Sequence, residues 1–306
     1  MIEQVKMRDG ESIAVCKIGM GKRKVFLIHG IGGSHHAWIP FAAPFLLDFT
    51  FIIPNLRGFG LSSEVPYNNE DVIENYADDI EDMVNYFLVK NEKFILTSLS
   101  MGAFSSMCFL SREHNRKRVA KYLNIDQAPM AMNSDDWVHG LISAEQDVLI
   151  DATQFLMDYA DKDNFLDLDY AQIPKDFKKK FIDTMVFFFS SAFHRKPEKL
   201  AINLILKLES KHIQKLFSIH KFKSYYSCMY AYKTYAHDFR SELPNFNFPV
   251  TVFAGKHSEM YPVLGQKFIA DTVPILGDYV EFDESHALMY TAPVKFTREF
   301  RKFLYS

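Results

Sequence analysis

The sequence contains few cysteines, and none of them lies in a pattern typical of a disulfide framework or a metal site. Only three occur among 306 residues, Cys16, Cys108 and Cys228, and no two of them form a CxxC pair. Small domains that depend on disulfides carry many cysteines, usually in even numbers and at close spacing. We therefore expect three reduced core thiols.

Long apolar runs are missing as well. No stretch of the sequence approaches the ~18 uninterrupted apolar residues that a membrane helix requires. The segment Met1–Lys6 lacks the basic start and apolar run of a signal peptide. From these observations we expect a cytoplasmic protein without a membrane span.

The chain also lacks an excess of positive charge. Its 35 Lys and Arg residues are outnumbered by 38 Asp and Glu residues, which gives a formal net charge of -3. Because a nucleic-acid-binding surface needs a basic field, we expect no nucleic-acid partner. The lysines at 175 and 178–180 are typical of a solvated helix face.

What the sequence does contain is a large apolar fraction, arranged as short apolar runs that alternate with helix-like segments. Hydrophobic residues make up 48% of the chain, enough for a sizeable core. The predicted strands are Ser12–Ile18, Lys24–His29, Thr50–Pro54, Lys93–Ser98, Val119–Asp126, Val250–Ala254 and Asp278–Phe282. The predicted helices between them are Trp38–Leu47, Val72–Lys90, Met101–Arg112, Val263–Asp271 and Ala292–Leu304. This order predicts an α/β fold, with a mostly parallel sheet covered by helices on both faces.

The alternation stops after Asp126 and resumes at Pro249. The intervening residues show the helical patterns Asp147–Tyr159, Phe177–Phe189, Lys199–Phe217 and Ser224–Ala236. We interpret them as a helical cap inserted into the core, with Pro244 and Pro249 marking the return. The predicted domains are a core of residues 1–129 and 245–306 and a cap of residues 130–244.

A serine motif follows the predicted strand that ends at Ser98. The motif Ser98–Gly102 reads Ser-Leu-Ser-Met-Gly and leads directly into a helix-like run. A serine between a strand and a helix lies on a sharp turn with its hydroxyl projecting, and small residues on either side let the helix pass close to the strand. The amide of Met101 would lie at a helix N-terminus, where negative charge is favoured. The alternative interpretation is an ordinary turn that happens to contain serines.

This motif resembles the G-x-S-x-G pattern of the α/β-hydrolase superfamily, with Ser98 in place of the first glycine. The resemblance implies an α/β-hydrolase fold and serine hydrolase chemistry. Since only Ser100 has a glycine, Gly102, two positions later, it implies that Ser100 is the nucleophile.

A glycine-rich segment, His29–Gly33, follows the strand that contains Val25–Ile28. It is similar to the H-G-x segment of the same superfamily, which implies that the backbone amides of Ile31 and Met101 form an oxyanion hole. Such a loop could instead bind phosphate, but the G-x-G-x-x-G pattern and the P-loop lysine are missing. In this interpretation His29 has a structural role.

Two further segments occur in the order typical of the superfamily. Pro54–Ser62 resembles its D-x-R-G-x-G-x-S turn, with Asn55 in place of the aspartate, and we assign it a structural role. Phe282–Leu288 places His286 after the last predicted strand, where the resemblance implies the catalytic base. The order of a nucleophile first and a histidine last is the order of this fold.

The acid that would orient His286 has two candidates. The superfamily usually carries it in a G-x-x-D turn, and counting from Gly255 places Ser258 at that position, with Glu259 one residue further. Some members, including the haloalkane dehalogenase-like branch, carry the acid after the strand before the cap, where this chain has Asp126. We favour Asp126 and keep Glu259 as the alternative.

The predicted cap is rich in Phe and Tyr, most of which we expect to pack within the protein. The remainder would line an apolar pocket over Ser100, which favours a small, hydrophobic, ester-like substrate. The sequence therefore predicts hydrolysis of a carboxylic ester or thioester through an acyl-enzyme intermediate. Acyl transfer, carbon–carbon bond hydrolysis, perhydrolysis and a slow-turnover ligand receptor remain alternatives.

We expect no cofactor and no metal. The histidine pairs His35/His36 and His212/His220 have no carboxylate or cysteine partners at the spacing of metal ligands.

Overall fold

A single eight-stranded sheet forms the centre of the protein. The computed structural model describes residues 1–160, 165, 168, 171–207 and 222–306. The strands are β1 (Ile2–Lys6), β2 (Ser12–Gly19), β3 (Arg23–Ile28), β4 (Phe49–Pro54), β5 (Phe94–Leu99), β6 (Val119–Ile125), β7 (Val250–Gly255) and β8 (Leu276–Phe282). Their order in the sheet is β1-β2-β4-β3-β5-β6-β7-β8. The two pairings made by β2 are antiparallel and the other five are parallel.

Helices follow several of the strands, and four of those described lie in the segment between β6 and β7. They are α1 (Ile39–Ala42), α2 (Val72–Phe87), α3 (Met101–Ser111), α4 (Glu113–Arg116), α5 (Gln146–Ala160), α6 (Lys175–Ser190), α7 (Lys196–Lys207), α8 (Phe222–Tyr235), α9 (Val263–Thr272), α10 (Leu288–Thr291) and α11 (Pro293–Tyr305).

Both faces of the sheet are covered, as the apolar strands predict. Along β3, Val25 and Leu27 belong to one hydrophobic cluster, whereas Phe26 and Ile28 belong to another. Successive side chains of a strand point to opposite faces, so a strand without polar alternation needs a core on each side. Every residue of β4 and β7 is buried for the same reason. The prediction of a mostly parallel sheet with helices on both faces is confirmed.

The predicted strands agree with β2–β8 to within two residues at each end. The predicted helix Trp38–Leu47 is wrong as a continuous element, because only α1 and two short 3₁₀ turns at 35–37 and 43–45 are present. Pro44 explains the interruption, since its nitrogen has no hydrogen to donate to the carbonyl of Pro40, which lies in the first turn of α1. Strand β1, for which the sequence analysis gave no bounds, pairs with β2 at the edge of the sheet.

The segment between β6 and β7 carries α5–α8 and, within its described residues, no strand. The predicted helix Lys199–Phe217 is observed as α7 up to Lys207, and its remainder lies outside the described residues. Aromatic rings pack the helices together: the Phe177 ring lies 6.3 Å from Phe155 and 5.8 Å from Phe222, measured between centroids.

Helix α8 attaches this segment to the core. The hydroxyl of Tyr76 on α2 lies 3.8 Å from the thiol of Cys228 on α8 and donates a hydrogen bond to the carbonyl of Arg57. All three cysteines are buried and free. None of the helices among the described residues is both long enough and apolar enough to span a membrane.

Candidate active site

The candidate catalytic residues follow neighbouring strands at one edge of the sheet. Ser100 follows β5, Asp126 follows β6, and His286 lies in the segment after β8. Since β5–β8 are parallel neighbours, their carboxyl ends lie at the same edge. Backbone bonds tie the first two turns to the next strand, with Ser100 N to Ile125 O at 3.0 Å and Asp126 N to Phe253 O at 2.9 Å.

Ser100 lies on a strained turn between β5 and α3. Its φ of 54° and ψ of -129° are values that a residue with a side chain rarely adopts. The turn requires close packing, because a Cβ atom at Gly102 would lie 2.4 Å from the carbonyl oxygen of His29. Ser100 is only 6% exposed, because α3 and the glycine-rich loop pack closely around the turn.

The neighbouring serine, Ser98, is part of the core. It is completely buried within β5, and its Oγ lies 2.6 Å from the Oγ of Ser106 on α3. Of the two serines in the motif, only Ser100 has the conformation of a strand-to-helix turn that projects a hydroxyl.

The glycine-rich loop after β3 lies against Ser100. A Cβ atom at Gly30 would be 3.0 Å from the Cβ and 3.5 Å from the Oγ of Ser100, so only glycine allows this approach. Ile31 follows Gly30 in this loop, and Met101 is the first residue of α3. The two predicted oxyanion-hole amides thus belong to the segments that flank Ser100.

His29 fixes the glycine-rich loop to the turn after β4. The amide of Leu56 donates to its Nε2 at 3.0 Å, which assigns the ring proton to Nδ1. Nδ1 then donates to the carbonyl of Gly30 at 2.8 Å. Complete burial lowers the pKa of His29 to about 4, so the ring is neutral at pH 7. The structural role predicted for His29 agrees with this geometry.

Asp126 and His286 form a direct pair. The distance from Nδ1 of His286 to Oδ2 of Asp126 is 2.6 Å, and Asp126 is 0% exposed. Oδ2 also accepts from the hydroxyl of Ser258 at 2.7 Å. Oδ1 accepts from the amide of Gly255 and from Nε2 of Gln266, both at 2.8 Å. These donors compensate for the lost hydration of the buried carboxylate.

Glu259, the alternative acid, has a different partner. Its Oε2 lies 2.5 Å from Nζ of Lys199, and 48% of its side chain is exposed. The structure therefore brings Asp126 to His286 and pairs Glu259 with a lysine of α7.

The bond to Asp126 uses Nδ1 of His286. Within the described residues, no hydrogen bond joins the Oγ of Ser100 to this ring. Such bonds between nucleophile and base are often long in ligand-free enzymes and shorten when substrate binds. The two side chains lie after strands that end at the same edge of the sheet.

Two glutamines that the sequence analysis did not single out support these turns. Nε2 of Gln127 donates to the carbonyl of Ser100 at 3.2 Å, and its Oε1 accepts from the amide of Ala128 at 2.9 Å. Gln266 donates from α9 to Asp126. Their positions in the sequence were the signal that could have identified them. Gln127 directly follows Asp126, and Gln266 shares a helical face with the apolar residues Ile269 and Ala270.

The turn after β4 is held by neutral and charged hydrogen bonds. Oδ1 of Asn55 lies 2.9 Å from Nδ1 of His35, and Nδ2 of Asn55 donates to the carbonyl of Ala14 at 2.9 Å. Arg57 is buried and makes two 2.8 Å bonds to Asp79. These contacts fit the structural role predicted for this turn.

His35 is thus engaged with Asn55, whereas His212 and His220 lie outside the described residues. In the part of the chain that the structure describes, no three His, Cys, Asp or Glu side chains are grouped so as to hold a metal ion.

The segment between β6 and β7 covers the glycine-rich loop. A Cβ atom at Gly32 would lie 2.6 Å from the hydroxyl of Tyr225 and 3.6 Å from the ring of Phe189. A backbone bond of 3.0 Å also joins the amide of Ala287 to the carbonyl of Ala192. Helical residues of this segment therefore lie against the glycine loop, and Ala192, in the turn after α6, bonds the residue that follows His286.

Comparison with known proteins agrees with this architecture. The sequence profile described as "alpha/beta hydrolase fold" matches residues 24–293. An esterase from Exiguobacterium antarcticum is 20% identical, with 100% of each chain covered and a TM-score of 0.70. A bromoperoxidase from Bacillus anthracis is 19% identical, with 100% of each chain covered and a TM-score of 0.73.

An enol-lactonase from Burkholderia xenovorans is 18% identical, with a TM-score of 0.72 over 99% of this chain and 100% of that chain. A search of curated protein sequences found no match. At these identities the similar structures show the fold alone. Because the profile matches most of its length, the chain belongs to the α/β-hydrolase fold family.

Proposed function

We propose that this protein is a serine hydrolase that cleaves a carboxylic ester or thioester with a hydrophobic moiety through an acyl-enzyme intermediate. The observation that carries the proposal is the strained Ser100 turn, which shares its sheet edge with the hydrogen-bonded Asp126–His286 pair. A strained serine and a histidine oriented by a buried carboxylate are the parts that acyl transfer to serine requires.

In the first step Oγ of Ser100 attacks the carbonyl carbon of the substrate, and Nε2 of His286 takes the hydroxyl proton. Asp126 accepts a hydrogen bond from the Nδ1–H of His286, which keeps Nε2 as the basic nitrogen and stabilises the imidazolium. The carbonyl oxygen becomes negative, and the amides of Ile31 and Met101 donate hydrogen bonds to it. The N-terminus of α3 adds a favourable partial positive charge.

The imidazolium of His286 then gives its proton to the leaving alcohol or thiol, and the acyl group remains on Ser100. In the second half of the reaction His286 deprotonates a water molecule, which attacks the acyl carbon. Collapse of the second tetrahedral intermediate releases the carboxylic acid and restores the Ser100 hydroxyl.

The preference for a hydrophobic moiety follows from the side chains above the glycine loop. Phe189 and Tyr225 lie against Gly32, and the Tyr225 ring is 5.6 Å from Phe59. Burial of apolar surface contributes roughly 25 cal/mol per Å². Of these rings only Phe189 is partly exposed, and an alkyl or aryl group beside it binds more favourably than a charged one.

A series of nitrophenyl esters with acyl chains of increasing length tests the proposal. We expect a burst of nitrophenol equal to the enzyme concentration, then steady turnover, with kcat/KM rising as the acyl chain lengthens. Ser100→Ala should remove both phases while keeping the wild-type thermal unfolding curve.

Two results would contradict the proposal. Saturable ester binding without turnover would favour a ligand receptor. Turnover that persists in Ser100→Ala would place the nucleophile elsewhere.

A further inference from the structure

The hydroxyl of Ser258 has a fixed direction. Ser258 is buried in the turn after β7, and its Oγ accepts a hydrogen bond from the amide of Tyr261 at 3.2 Å. The hydroxyl proton is directed to Oδ2 of Asp126, 2.7 Å away. Since a hydroxyl carries only one proton, this donation commits Ser258 to the carboxylate.

The oxygen that Ser258 contacts is the one that faces the histidine. Oδ2 of Asp126 accepts from Nδ1 of His286 at 2.6 Å and from Ser258, whereas Oδ1 is occupied by Gly255 and Gln266. Rotation of the carboxylate would break several of these bonds together. A donor on Oδ2 also reduces the negative charge that this oxygen presents to the imidazole ring.

We propose that Ser258 is a positioning residue: its hydroxyl holds the carboxylate of Asp126 in the plane that orients His286 and weakens the attraction of that carboxylate for a protonated ring. The inference rests on the proposed function, because the role of His286 as a base requires Ser100 as the nucleophile.

Other ionisable groups surround the pair and have to be considered in any pH profile. They are Tyr261 and Glu259 in the same turn, Tyr279 on β8, His257, and Asp283 and Glu284 in the segment before His286. Burial raises the pKa of Tyr261 and of Tyr279, so both stay neutral over the assay range. The carboxylates have cationic partners or partners that can be protonated: Glu284 bonds Arg195 of the cap at 3.0 Å, and Asp283 bonds His257 at 2.8 Å.

The test is the pH dependence of kcat/KM in Ser258→Ala. Without its hydroxyl donor the Asp126 carboxylate carries more negative charge on Oδ2, so it attracts the imidazolium of His286 more strongly. The acid limb of kcat/KM, which reports protonation of the free enzyme's base, should move upward by roughly half a pH unit. The loss of orientation should lower kcat about threefold to tenfold.

Two variants control for structural effects. Ser258→Thr keeps a hydroxyl and should return the limb to its wild-type position. Ser62→Ala removes another buried hydroxyl, which accepts from the amide of Ala14 at 2.9 Å and does not contact Asp126. It should lower stability and leave the limb unchanged. A wild-type limb in Ser258→Ala, or an equal shift in Ser62→Ala, overturns the inference.

An NMR titration of the His286 ring separates this inference from the proposed function, because it needs no turnover. The resonance is assigned by its loss in His286→Gln, and its midpoint should rise in Ser258→Ala. If the midpoint rises while the wild type hydrolyses no ester, the proposed function fails and the effect of Ser258 on His286 stands. If the midpoint does not move, Ser258 does not act on His286. Should Ser258→Ala not fold, Ser258→Cys, a nearly equal side chain with a weaker donor, gives the same comparison.

Discussion

Two turns of this protein depart from the superfamily pattern in the same way and with different consequences. After β4, Asn55 occupies a position where the pattern has an aspartate, and after β7 Ser258 does the same. Asn55 bonds the neutral partners His35 and Ala14. Ser258 instead donates to Asp126, a carboxylate supplied by the end of another strand.

The difference indicates what each position requires. The Asn55 position needs neutral hydrogen bonds only, and the Asn55 amide donates to the carbonyl of Ala14, which a carboxylate could not do. The turn after β7 lies beside His286, whose orientation during proton transfer benefits from a negative charge. In our account that charge is retained at Asp126, and Ser258 has become its donor.

The largest expected effect is that of Asp126→Asn. An amide cannot accept the Nδ1 proton in the same way and stabilises no imidazolium, so kcat for a nitrophenyl ester should fall about 10⁴-fold. Glu259→Gln is the matched control, because it neutralises a carboxylate whose partner is Lys199, and it should stay within about twofold of wild type. A large loss in Glu259→Gln with intact turnover in Asp126→Asn would reverse the assignment of the acid.

The second prediction tests whether His29, which accepts from Leu56 in the turn after β4, is uncharged in the folded protein. The pKa of His29 is lowered by burial from 6.5 to about 4, so between these values the unfolded chain binds a proton that the folded chain does not. The stability that the neutral ring contributes is therefore complete above pH 6.5. It decreases as the pH falls to 4, by on the order of 3 kcal/mol. Urea unfolding at pH 7 and pH 4.5 measures this loss.

His29→Gln should remove that part of the pH dependence, while the contributions of the carboxylates remain. An unchanged pH dependence in His29→Gln would show that His29 binds its proton equally well in the folded and unfolded states.

Gly255→Ala perturbs the surroundings of the Asp126 carboxylate without changing a charge. Its Cβ atom would lie 2.8 Å from Oδ1 of Asp126 and 2.8 Å from the carbonyl of Ser285. We expect a loss of about 2 kcal/mol in the free energy of unfolding and a fall in kcat of roughly tenfold, because the carboxylate must shift. Gly10→Ala is the control: it strains a positive φ where no atom lies within 4 Å, and it should leave kcat unchanged.

The smallest effect is expected for Asn55→Asp. This change restores the residue of the pattern but removes the donor to Ala14, so the free energy of unfolding should fall by roughly 1 kcal/mol while kcat stays within about threefold of wild type. Thermal unfolding and ester turnover give both quantities. A loss of kcat as large as that of Asp126→Asn would mean that catalysis depends on the turn after β4 as strongly as on Asp126.

Much of this fold could be predicted from the sequence because its strands are short, apolar and separated by helices. The bounds of β2–β8 were predicted to within two residues. The prediction for residues 38–47 was wrong because their apolar spacing favours a helix that Pro44 interrupts. In both the strands and the interrupted helix, the residues of the segment itself determined its local structure.

The acid could not be determined from the sequence, since the choice depends on contacts between distant segments. Asp126 and Ser258 are 132 positions apart, and the side chains meet only because β6 and β7 are parallel neighbours. The support from Gln266 on α9 has the same origin. Motif spacing predicted which turns carry polar groups, but not which carboxylate faces His286.

The central claim is that Ser100 is a nucleophile activated by the Asp126–His286 pair. The most direct test is the rate at which an alkyl fluorophosphonate modifies the protein, followed by intact mass and located by peptide mapping. The account predicts one adduct on the peptide that carries Ser100, no adduct in Ser100→Ala, and labelling of Asp126→Asn slower by orders of magnitude. An adduct on another residue, or equal labelling rates in wild type and Asp126→Asn, would contradict it.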